Sequence, residues 1–362
     1  MDSSRNRREK KAGVLTFHRT LNYGAALQCY ALTKAISNLG YDVSVIDYRS
    51  SVIEQREMYP RIFSRKNMKN LVGFPLEMLM KSARRRSFSN SKVRIASPYQ
   101  VRSGVDIVPQ LQELDVVVVG SDQVWNLGLT GGDFQYFLPG TGNFKKNSYA
   151  ASFGSKKVTH AERVAEYLKD FDHVGVRESD GVRIAHEMGV NASQVLDPTL
   201  LLDAAHWRDV SVPVRHLPDR YIVSYAVNMK DDVVSRAKKI AAERHIPLVY
   251  VHGSDWMPVT GAKNIYAASP DEFIYLIQNA EAVVTSSFHG TCFSILMHRP
   301  FSIVMNLWKE NANSRLESLL QLVGIDDKAA ATQVIEPNWE IVDKRLDYER
   351  VQSLNFLEKE LM

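Results

Sequence analysis

The sequence predicts an α/β protein with two domains that face each other across a cleft. The chain has 362 residues, which exceeds one ordinary hydrophobic core and suits two domains of typical size. Short β-branched runs alternate with segments of helical apolar spacing, and this alternation occurs on both sides of the proline-containing residues 213–218. A content of 45% hydrophobic and 24% charged residues is typical of a folded globular chain. We therefore expect two Rossmann-like domains, each built on a parallel sheet.

The same patterns give a domain layout. The first residues are polar and basic and have nothing to bury, whereas periodic segments fill most of the remaining chain. In chain order we expect a disordered basic tail at 1–12, an N-terminal α/β domain at 13–212 with a helical basic insertion at about 50–104, a C-terminal α/β domain at 213–340, and at 341–362 a helix that can pack back on the N-terminal domain.

The first domain opens with a βαβ unit. A strand over 14–17 leads through the turn at 22–24 into a helix, and Gly40 ends that helix before the next strand. Val116–Val119 is a continuous β-branched run, which is typical of a parallel strand covered on both faces. The other elements expected here are helices at about 25–39, 161–169 and 180–188 and strands at 41–48, 148–153, 173–177 and 195–196.

Residues 50–104 interrupt this alternation. Lysine and arginine occur at many positions, and an apolar segment at 71–80 is followed by Lys81 and the cluster Arg84-Arg85-Arg86. We favour a helical insertion that packs on its own domain and keeps a solvated charged face. The alternative is peripheral contact of residues 71–86 with an anionic membrane surface, which an apolar segment beside a basic cluster also fits.

The second domain repeats the alternation with its own sheet. Ser269-Pro270-Asp271-Glu272 has the proline and acidic residues of a helix start. Val283 to Met297 predicts a strand, a tight loop and a helix. The expected strands are 221–227, 247–252, 265–267, 282–285 and 300–305, and the expected helices are about 231–244 and 271–279, one after His289, and one carrying Leu316, Leu319, Leu320 and Val323.

Charge and cysteine content favour a cytoplasmic protein. The net charge is a modest +4, and we favour a solvated tail over nucleic-acid or lipid contact, so no nucleic-acid partner is predicted. Cys29 and Cys292 are far apart and lack metal-ligand spacing, which is typical of a reducing compartment without structural disulfides. We expect neither a signal peptide nor a membrane span, because the apolar runs are too short.

Four polar loops are expected at the ligand-binding edges of the two sheets. They end in Asn22, Asp122, Arg177 and His289, and helix N-termini there add free amide groups. In a cleft between two domains they would supply a cation, a carboxylate and a proton donor, which suits an anionic, phosphorylated small molecule. Sequence motifs of phosphate-binding loops, dinucleotide-binding folds, zinc proteases and serine hydrolases are missing.

Each of these residues also has a structural interpretation. A histidine at a helix start can be a capping or packing residue, and an arginine at a strand end can be an ordinary surface cation. Asp122 is our candidate for the general base, but an aspartate in such a loop equally well caps a helix. These alternatives stay open on the sequence alone.

Six short motifs, in order along the chain, together resemble the polysaccharide pyruvyl transferase family. Each is weak alone, and together they are fairly specific and span most of the chain. The motifs are Asn22-Tyr23-Gly24-Ala25-Ala26-Leu27-Gln28, Gly120-Ser121-Asp122-Gln123-Val124-Trp125-Asn126, Ala150-Ala151-Ser152-Phe153-Gly154, Val176-Arg177-Glu178, Asp197-Pro198-Thr199-Leu200-Leu201 and Ser286-Ser287-Phe288-His289-Gly290.

The resemblance implies a fold and a reaction. The fold is similar to that of GT-B glycosyltransferases, and the reaction moves the carbon skeleton of phosphoenolpyruvate onto a sugar as a pyruvate ketal, with release of phosphate. No metal or cofactor is implied, since the chemistry needs acid catalysis and anion binding, with phosphoenolpyruvate as donor substrate. Acceptors of the family are surface glycans or their lipid-linked precursors, which would place the protein at the inner face of the membrane.

The resemblance also assigns residues. The family's catalytic histidine corresponds to His289, which would protonate the methylene carbon of the donor. Arg177 corresponds to an arginine that holds the donor's charged groups. Relatives carry another arginine at the position of Ser287, so its charge must come from elsewhere, and Lys309 and Arg315 are the candidates. The full set expected to contact substrates is Asn22, Tyr23, Gly24, Ser121, Arg177, Ser287, Gly290, Thr291, Lys309 and Arg315.

Two other functions remain open on the sequence. One is a GT-B-type glycosyltransferase that uses a nucleotide sugar, although the second domain lacks an obvious acidic pair for a ribose. The other is a glycan- or nucleotide-binding protein without catalysis, which has no need of a proton donor at His289. The shared fold alone does not separate these classes.

Overall fold

The computed structural model contains two parallel β-sheets, each with helices on its faces, and it describes residues 9–58, 74–95, 97, 99–102, 105–306 and 313–361. The first sheet has the strand order β3-β2-β1-β4-β5-β6-β7, and its strands are β1 Lys11–Leu15, β2 Asp42–Arg49, β3 Tyr99–Arg102, β4 Val116–Val119, β5 Lys145–Ala151, β6 His173–Val176 and β7 Ser193–Gln194. The second has the order β10-β9-β8-β11-β12, with β8 Ile222–Tyr225, β9 Leu248–Val251, β10 Lys263–Ile265, β11 Ala282–Thr285 and β12 Phe301–Ile303.

Helices connect these strands and cover the sheets. Their bounds are α1 Tyr23–Asn38, α2 Ser51–Met58, α3 Phe74–Ser89, α4 Leu127–Thr130, α5 Ala161–Leu168, α6 Ser179–Glu187, α7 Ala204–Val210, α8 Lys230–Arg244, α9 Pro270–Gln278, α10 Phe288–Leu296, α11 Ser314–Val323, α12 Asp327–Thr332 and α13 Trp339–Leu361. The predicted α/β class with parallel sheets is therefore confirmed.

Both strand orders reverse direction at one point. In the first sheet the reversal lies between β1 and β4, and in the second it lies between β8 and β11. Ligands of open α/β sheets bind beyond the carboxyl ends of the strands at such a reversal. The loops that follow β1, β4 and β11 are among those that the sequence singled out; they hold Asp122 and lead into Gly24 of α1 and His289 of α10.

Strand β4 shows why a continuous valine run predicts a central strand. Val116 and Val118 pack into one hydrophobic cluster, whereas Val117 and Val119 pack into another on the opposite face. All four side chains are buried. Alternate residues of a strand point to opposite faces, so only a strand covered on both sides buries every one of them.

One hydrophobic cluster extends across both sheets. It contains Val14 and Val116 from the first sheet and Val223 and Val283 from the second. At its centre the ring of Tyr23 stacks on Phe273, with centroids 4.4 Å apart and an interplanar angle of 4°. The two sheets therefore share one hydrophobic core at the place where they meet.

Local sequence signals fix the helix starts that matter for the cleft. The Asn22 side chain accepts from Ala25 N and caps α1. Ser269 and Glu272 form a reciprocal capping box at the start of α9, as the Ser-Pro-Asp-Glu sequence predicts. Each side-chain cap satisfies a backbone group that a helix end leaves without a partner.

The predicted tail is shorter than expected. Residues 1–8 lie outside the described residues, but Lys11 and Ala12, which we assigned to the tail, belong to β1. Lys11 N donates to the Asp115 carboxylate over 2.7 Å, and Ala12 is fully buried beside Val116. The expectation was wrong there because β1 begins with the polar Lys11, and because its partner β4 is about a hundred residues away, so no local pattern indicates the strand.

The basic insertion differs from expectation in two ways. It is not wholly helical, because β3 at its end pairs with β2 and extends the first sheet. It also packs beyond its own domain: Arg84 donates to the carbonyl oxygens of His252 and Gly253, and its guanidinium lies 4.5 Å from the Tyr23 ring centroid. The carbonyls and the aromatic face supply what a buried cation needs, so Arg84 is not part of a solvated face.

The membrane contact expected of residues 71–86 falls partly outside the described residues. Within the described part, Met78 and Leu79 are exposed on α3, and Arg86 is exposed, whereas Arg84 is buried. No helix in the described ranges combines the length and the apolar character that crossing a bilayer requires.

The C-terminal helix α13 contacts the first sheet's side of the molecule. Ser353 Oγ accepts from Leu196 N over 2.9 Å, and Arg350 Nε donates to Leu200 O over 2.8 Å. The Tyr41 hydroxyl donates to Leu361 O near the end of the helix. Through these contacts α13 packs against residues of the N-terminal part of the chain.

Candidate functional site

The loop between β11 and α10 is held by hydrogen bonds within the loop itself. Ser287 caps α10 by accepting from Gly290 N over 3.2 Å, and its own amide donates to Thr285 Oγ1 over 3.0 Å. Thr291 Oγ1 donates to Ser287 O over 3.1 Å. A side chain at Gly290 would place its Cβ 2.7 Å from Thr285 Oγ1, so the turn requires glycine. The polar groups of Ser287 and Thr291 therefore position His289 in this structure.

His289 lies where the two sheets meet. A Cβ added to Gly24 would fall 1.9 Å from His289 Nδ1, so the start of α1 touches the imidazole directly. On the other side, His289 Nε2 lies 3.5 Å from Asp197 Oδ2. The side chain is about 10% exposed, and Nε2 has no hydrogen-bond partner within the described part of the chain. The ring is fixed by its neighbours, and Nε2 faces the Asp197 carboxylate at ion-pair distance.

Asp197 is the centre of a buried polar network. Its Oδ2 accepts from Ser121 Oγ over 2.8 Å and from Arg177 Nη1 over 3.1 Å. Its Oδ1 accepts from the amide of Thr199 over 3.0 Å and from its hydroxyl over 2.7 Å. Burial alone would raise the pKa of Asp197, but His289, Arg177 and Thr199 together hold it well below its usual range. Asp197 is therefore an ionised carboxylate beside His289.

Arg177 is committed to carboxylates of the protein. Besides Asp197 it faces Glu178, with 3.6 Å between Nε and Oε2, and its side chain is almost fully buried. Burial would lower the pKa of Arg177, but Glu178, Asp197 and Asp122 raise it. Its guanidinium lies 4.5 Å from the centroid of the Phe288 ring. Arg177 therefore ties the first sheet to the residue next to His289.

Asp122 lies near Arg177, but its carboxylate accepts a hydrogen bond from the neighbouring residue in its own loop. Its φ of 75° is in the left-handed region, and its Oδ1 accepts from the next amide, Gln123 N, over 2.8 Å. Its charge acts on Arg177 and Arg315. The structure thus brings Asp122 to the site's edge and shows no direct hydrogen bond from it to His289.

Arg315 lines a small cavity at the start of α10. The described residues around the cavity are Asn228, Ser286, Phe288, Val304, Asn306, Asn313, Arg315 and Leu316. Arg315 is partly buried, and no hydrogen bond or ion pair joins its guanidinium to another described residue. Burial, together with the nearby charge of Arg177, lowers the pKa of Arg315. A partly buried guanidinium at a helix N-terminus is a strong site for an anion.

This cavity measures about 20 Å³, which holds a water molecule and nothing larger. Its walls must separate before a substrate enters. His289 follows Phe288 in sequence but is not among the lining residues. The alternative candidate cation, Lys309, lies outside the described residues.

Two residues expected at the site have other roles. Asn22 uses its side-chain oxygen to cap α1, over 3.2 Å to Ala25 N. The Tyr23 side chain is fully buried between Phe88, Tyr225 and Phe273, and its hydroxyl donates to His252 O over 3.2 Å. The structure therefore brings Gly24, Ser121, Arg177 and Ser287 to His289 and places the Tyr23 ring in the core.

Sequence reasoning missed Asp197, Glu178 and Phe288 as site residues. Each belongs to one of the six motifs, but residue type and position in the sequence assign it no role. The available signal was an aspartate followed by proline and threonine directly after a strand, a pattern typical of a fixed carboxylate at a sheet edge. No group of three or more histidine, cysteine or acidic residues with metal-site geometry occurs in the part of the chain that the structure describes.

Solved structures share the whole architecture. S. aureus MnaA, solved with UDP, is 12% identical with a TM-score of 0.52, and the match covers 94% of this chain and 90% of that one. The UDP-GlcNAc 2-epimerase from Neisseria meningitidis, bound to UDP-GlcNAc, is 11% identical with a TM-score of 0.50, over 96% of this chain and 99% of that one. A Listeria monocytogenes protein described as a UDP-N-acetylglucosamine 2-epimerase is 11% identical with a TM-score of 0.54, over 97% and 90%. At this identity the likeness concerns the fold alone, which is the GT-B fold.

The fold and its central site thus define a GT-B protein with a histidine between its two sheets. The model of the polysaccharide pyruvyl transferase family matches residues 22–306, which include the site residues described above other than the cavity residues Asn313, Arg315 and Leu316. The chain belongs to the polysaccharide pyruvyl transferase family, a family of transferases in polysaccharide biosynthesis. A search among curated proteins gave no match by sequence.

Proposed function

We propose that the protein transfers a pyruvyl group from phosphoenolpyruvate to a sugar of a polysaccharide, or of its lipid-linked precursor, and forms a pyruvate ketal. The observation that carries the proposal is the start of α10. There a histidine paired with the Asp197 carboxylate follows directly on Phe288, which lines the cavity of Arg315, an arginine without a polar partner among the described residues. An acid next to an anion site is what a phosphorylated, carboxylated donor requires.

The proposed roles follow from the contacts. Arg315 and the N-terminal amides of α10 bind the donor's phosphate or carboxylate once the cavity walls separate. Arg315 supplies the charge that Ser287 does not provide. Arg177 holds Asp197 and Phe288 in place, and Asp197 orients His289. These assignments leave Asp122 as the candidate base for the sugar hydroxyl.

The chemistry balances with one proton donor. His289 gives its proton to the methylene carbon of phosphoenolpyruvate, which leaves positive charge on the neighbouring carbon. A sugar hydroxyl adds to that carbon and releases its proton, which restores His289 through Asp122 or solvent. A second hydroxyl of the same sugar displaces phosphate, and its proton leaves with the phosphate. The product is a ketal, and no oxidant or reductant is consumed.

The direct test is phosphate release from phosphoenolpyruvate by purified protein in the presence of lipid-linked glycans prepared from a lysate. Mass spectrometry of the glycan should show a gain of one pyruvate less one water. We expect His289→Ala to lose about 10²- to 10⁴-fold in rate, the usual contribution of a general acid. Arg315→Gln should raise the KM for phosphoenolpyruvate about tenfold to hundredfold, because a charged hydrogen bond is lost.

Two matched variants control this test. His298→Ala removes a histidine that pairs with Asp343 away from the site, and Arg220→Gln removes an exposed arginine paired with Glu281. Both should keep the wild-type rate. Consumption of a nucleotide sugar without phosphate release from phosphoenolpyruvate would contradict the proposal and favour a glycosyltransferase. Glycan binding that His289→Ala leaves intact, with no turnover of either donor, would favour a binding protein.

A further inference from the structure

A second cavity lies away from His289, on the other side of the start of α1. It measures about 280 Å³, near the lower end of small-molecule sites. We call it the basic cleft. It lies between the loop after β1, the end of β2 and the C-terminal part of α3, and the residues that carry the argument are Arg19, Asp47, Arg85, Arg94 and Gln100.

Positive charge dominates the basic cleft. Three arginines, Arg19, Arg85 and Arg94, line it, against the single carboxylate of Asp47. That carboxylate pairs with His18 over 2.8 Å, with Arg49 over 3.1 Å and with Arg19 over 3.2 Å, and Arg19 also pairs with Glu54 over 3.0 Å. The excess positive charge of the lining therefore comes from Arg85 and Arg94. The lining therefore carries a net positive charge, which attracts an anion from outside the protein.

The remaining polar lining suits a saccharide. Four hydroxyl groups and one amide lie along the cleft, and these donate to and accept from sugar hydroxyls. They belong to Thr20, Ser89, Ser91, Ser97 and Gln100. Apolar side chains such as Leu21 and Val93 complete the wall and exclude water from one side of a ligand. A cleft that combines arginines with hydroxyls matches a phosphorylated sugar better than it matches a bare anion.

The basic cleft is coupled to the site of His289 through short links. His18 Nδ1 lies 3.1 Å from Thr16 O, and Thr16 Oγ1 donates to Ser121 O over 2.8 Å. Ser121 in turn donates to Asp197, the partner of His289. The chain from His18 to Gly24 spans at most about 21 Å even if fully extended. The cleft and His289 are therefore within reach of one extended glycan-phosphate.

We propose that the basic cleft binds the phosphate or diphosphate end of the sugar acceptor, and that Arg85 and Arg94 are its main anion contacts. The inference rests on the proposed function for the identity of the acceptor, but the cleft itself stands on its own residues. It assigns the two anionic substrates to separate cations: the donor to Arg315 and the acceptor to Arg85 and Arg94.

Isothermal titration calorimetry on the full chain tests this assignment. The probes are glucose 1-phosphate, glucose, inorganic phosphate and phosphoenolpyruvate. Wild type should bind glucose 1-phosphate at least about tenfold more tightly than glucose or phosphate, since it uses both parts of the cleft. The double variant Arg85→Gln, Arg94→Gln should weaken this binding about tenfold to hundredfold.

Arg86→Gln is the matched control, because Arg86 is the exposed neighbour of Arg85 on α3 and does not line the cleft. It should change glucose 1-phosphate binding by no more than about twofold. Arg315→Gln should weaken phosphoenolpyruvate binding and leave glucose 1-phosphate binding unchanged. This crossed pattern supports two separate sites.

Three results would overturn the inference. Wild type does not bind glucose 1-phosphate, or it binds inorganic phosphate equally well, or Arg315→Gln rather than the double variant weakens the sugar phosphate. The failure of the proposed function looks different. In that case phosphoenolpyruvate binds to none of the proteins, while glucose 1-phosphate still depends on Arg85 and Arg94.

Discussion

Gly24, at the start of α1, lies directly against the imidazole of His289, on the first turn of α10. A Cβ at position 24 would stand 1.9 Å from Nδ1 and 2.4 Å from Cγ of that ring. Glycine is therefore required at this position by close approach, since the backbone conformation there is ordinary helix. The position of His289, which follows the second sheet's strand β11, therefore depends on a residue of α1, the helix that follows the first sheet's strand β1.

Gly24→Ala should displace the imidazole and lower activity. We expect kcat/KM to fall about 100-fold, the usual effect of moving a catalytic group by about 1 Å. The free energy of unfolding should fall by only about 1–3 kcal/mol, because the added methyl overlaps one movable ring. Steady-state kinetics and urea unfolding measure the two effects. Gly128→Ala is the control, since its nearest contact would be Asn126 Oδ1 at 3.3 Å. Full activity of Gly24→Ala would contradict a catalytic His289.

Asp197→Asn should remove the charge that orients His289. We expect kcat to fall about tenfold to hundredfold, the worth of a close charge pair, with little change in the KM for phosphoenolpyruvate. The protein should also lose about 3–5 kcal/mol of unfolding free energy, because Arg177 is left in a buried site without this partner. Kinetics are compared at a temperature where circular dichroism shows a folded protein.

Ser148→Ala provides the control for Asp197→Asn. It removes two buried hydrogen bonds of the same sheet, from Ser148 Oγ to Gly175 O over 3.2 Å and from Gly175 N to Ser148 Oγ over 3.1 Å, away from His289. Its kcat should equal that of wild type. If folded Asp197→Asn also keeps the wild-type kcat, Asp197 has a structural role only.

Arg84→Met should loosen α3 from the second sheet. The substitution leaves the Gly253 carbonyl without its side-chain donor, leaves the His252 carbonyl with only the Tyr23 hydroxyl, and removes the cation from the Tyr23 and Phe88 rings. We expect a loss of about 2–4 kcal/mol in unfolding free energy. Arg86→Met, on the exposed side of the same helix, should stay within about 0.5 kcal/mol of wild type. Equal stabilities of the two variants would show that the buried contacts of Arg84 contribute nothing.

The lowered pKa of Asp47 predicts that part of the protein's stability is lost in acid. Burial alone would raise its pKa, but His18, Arg19 and Arg49 lower it from 3.8 to about 2. A lowered carboxylate pKa adds stability that is fully present above about pH 4 and is lost as the pH falls toward about 2. Asp47→Asn should therefore reduce the free energy of unfolding at neutral pH and flatten its decline between about pH 4 and pH 2.

Urea unfolding over this pH range measures the effect. Asp42→Asn is the matched control, because Asp42 is an exposed carboxylate in the same strand, β2. Its acid profile should follow that of wild type. A wild-type profile for Asp47→Asn would show that the ion pairs of Asp47 add nothing to the free energy of unfolding.

Strong local signals made much of the fold predictable. The continuous β-branched run of β11 gave its bounds, Ala282–Thr285, and Ser-Pro-Asp-Glu gave the start of α9 to within a residue. Strand β3 was missed, because only Val101 of its four residues is buried and an edge strand needs few apolar side chains. Its partner, β2, is about fifty residues away, so no local pattern reveals it.

The site was predictable at the level of loops and not of contacts. The ends of β4, β6 and β11 were correctly expected to lie at sheet edges, which brings Ser121, Arg177 and His289 together. Tyr23 and Gly24 are adjacent in sequence, yet they point about 100° apart on the helix, so one enters the core and the other faces His289. Which of two neighbours faces the site depends on packing between sheets distant in the chain.

The hydrophobic cluster shared by the two sheets has a consequence for the protein as a whole. Val14 and Val223, one from each sheet, belong to the same buried cluster, and Tyr23 and Phe273 stack within it. Expression of either sheet alone would expose that cluster to water and favour aggregation. The chain should therefore unfold in a single cooperative transition. A domain taken from another protein could replace one of the two domains only if the buried surface of the remaining domain were redesigned to match it.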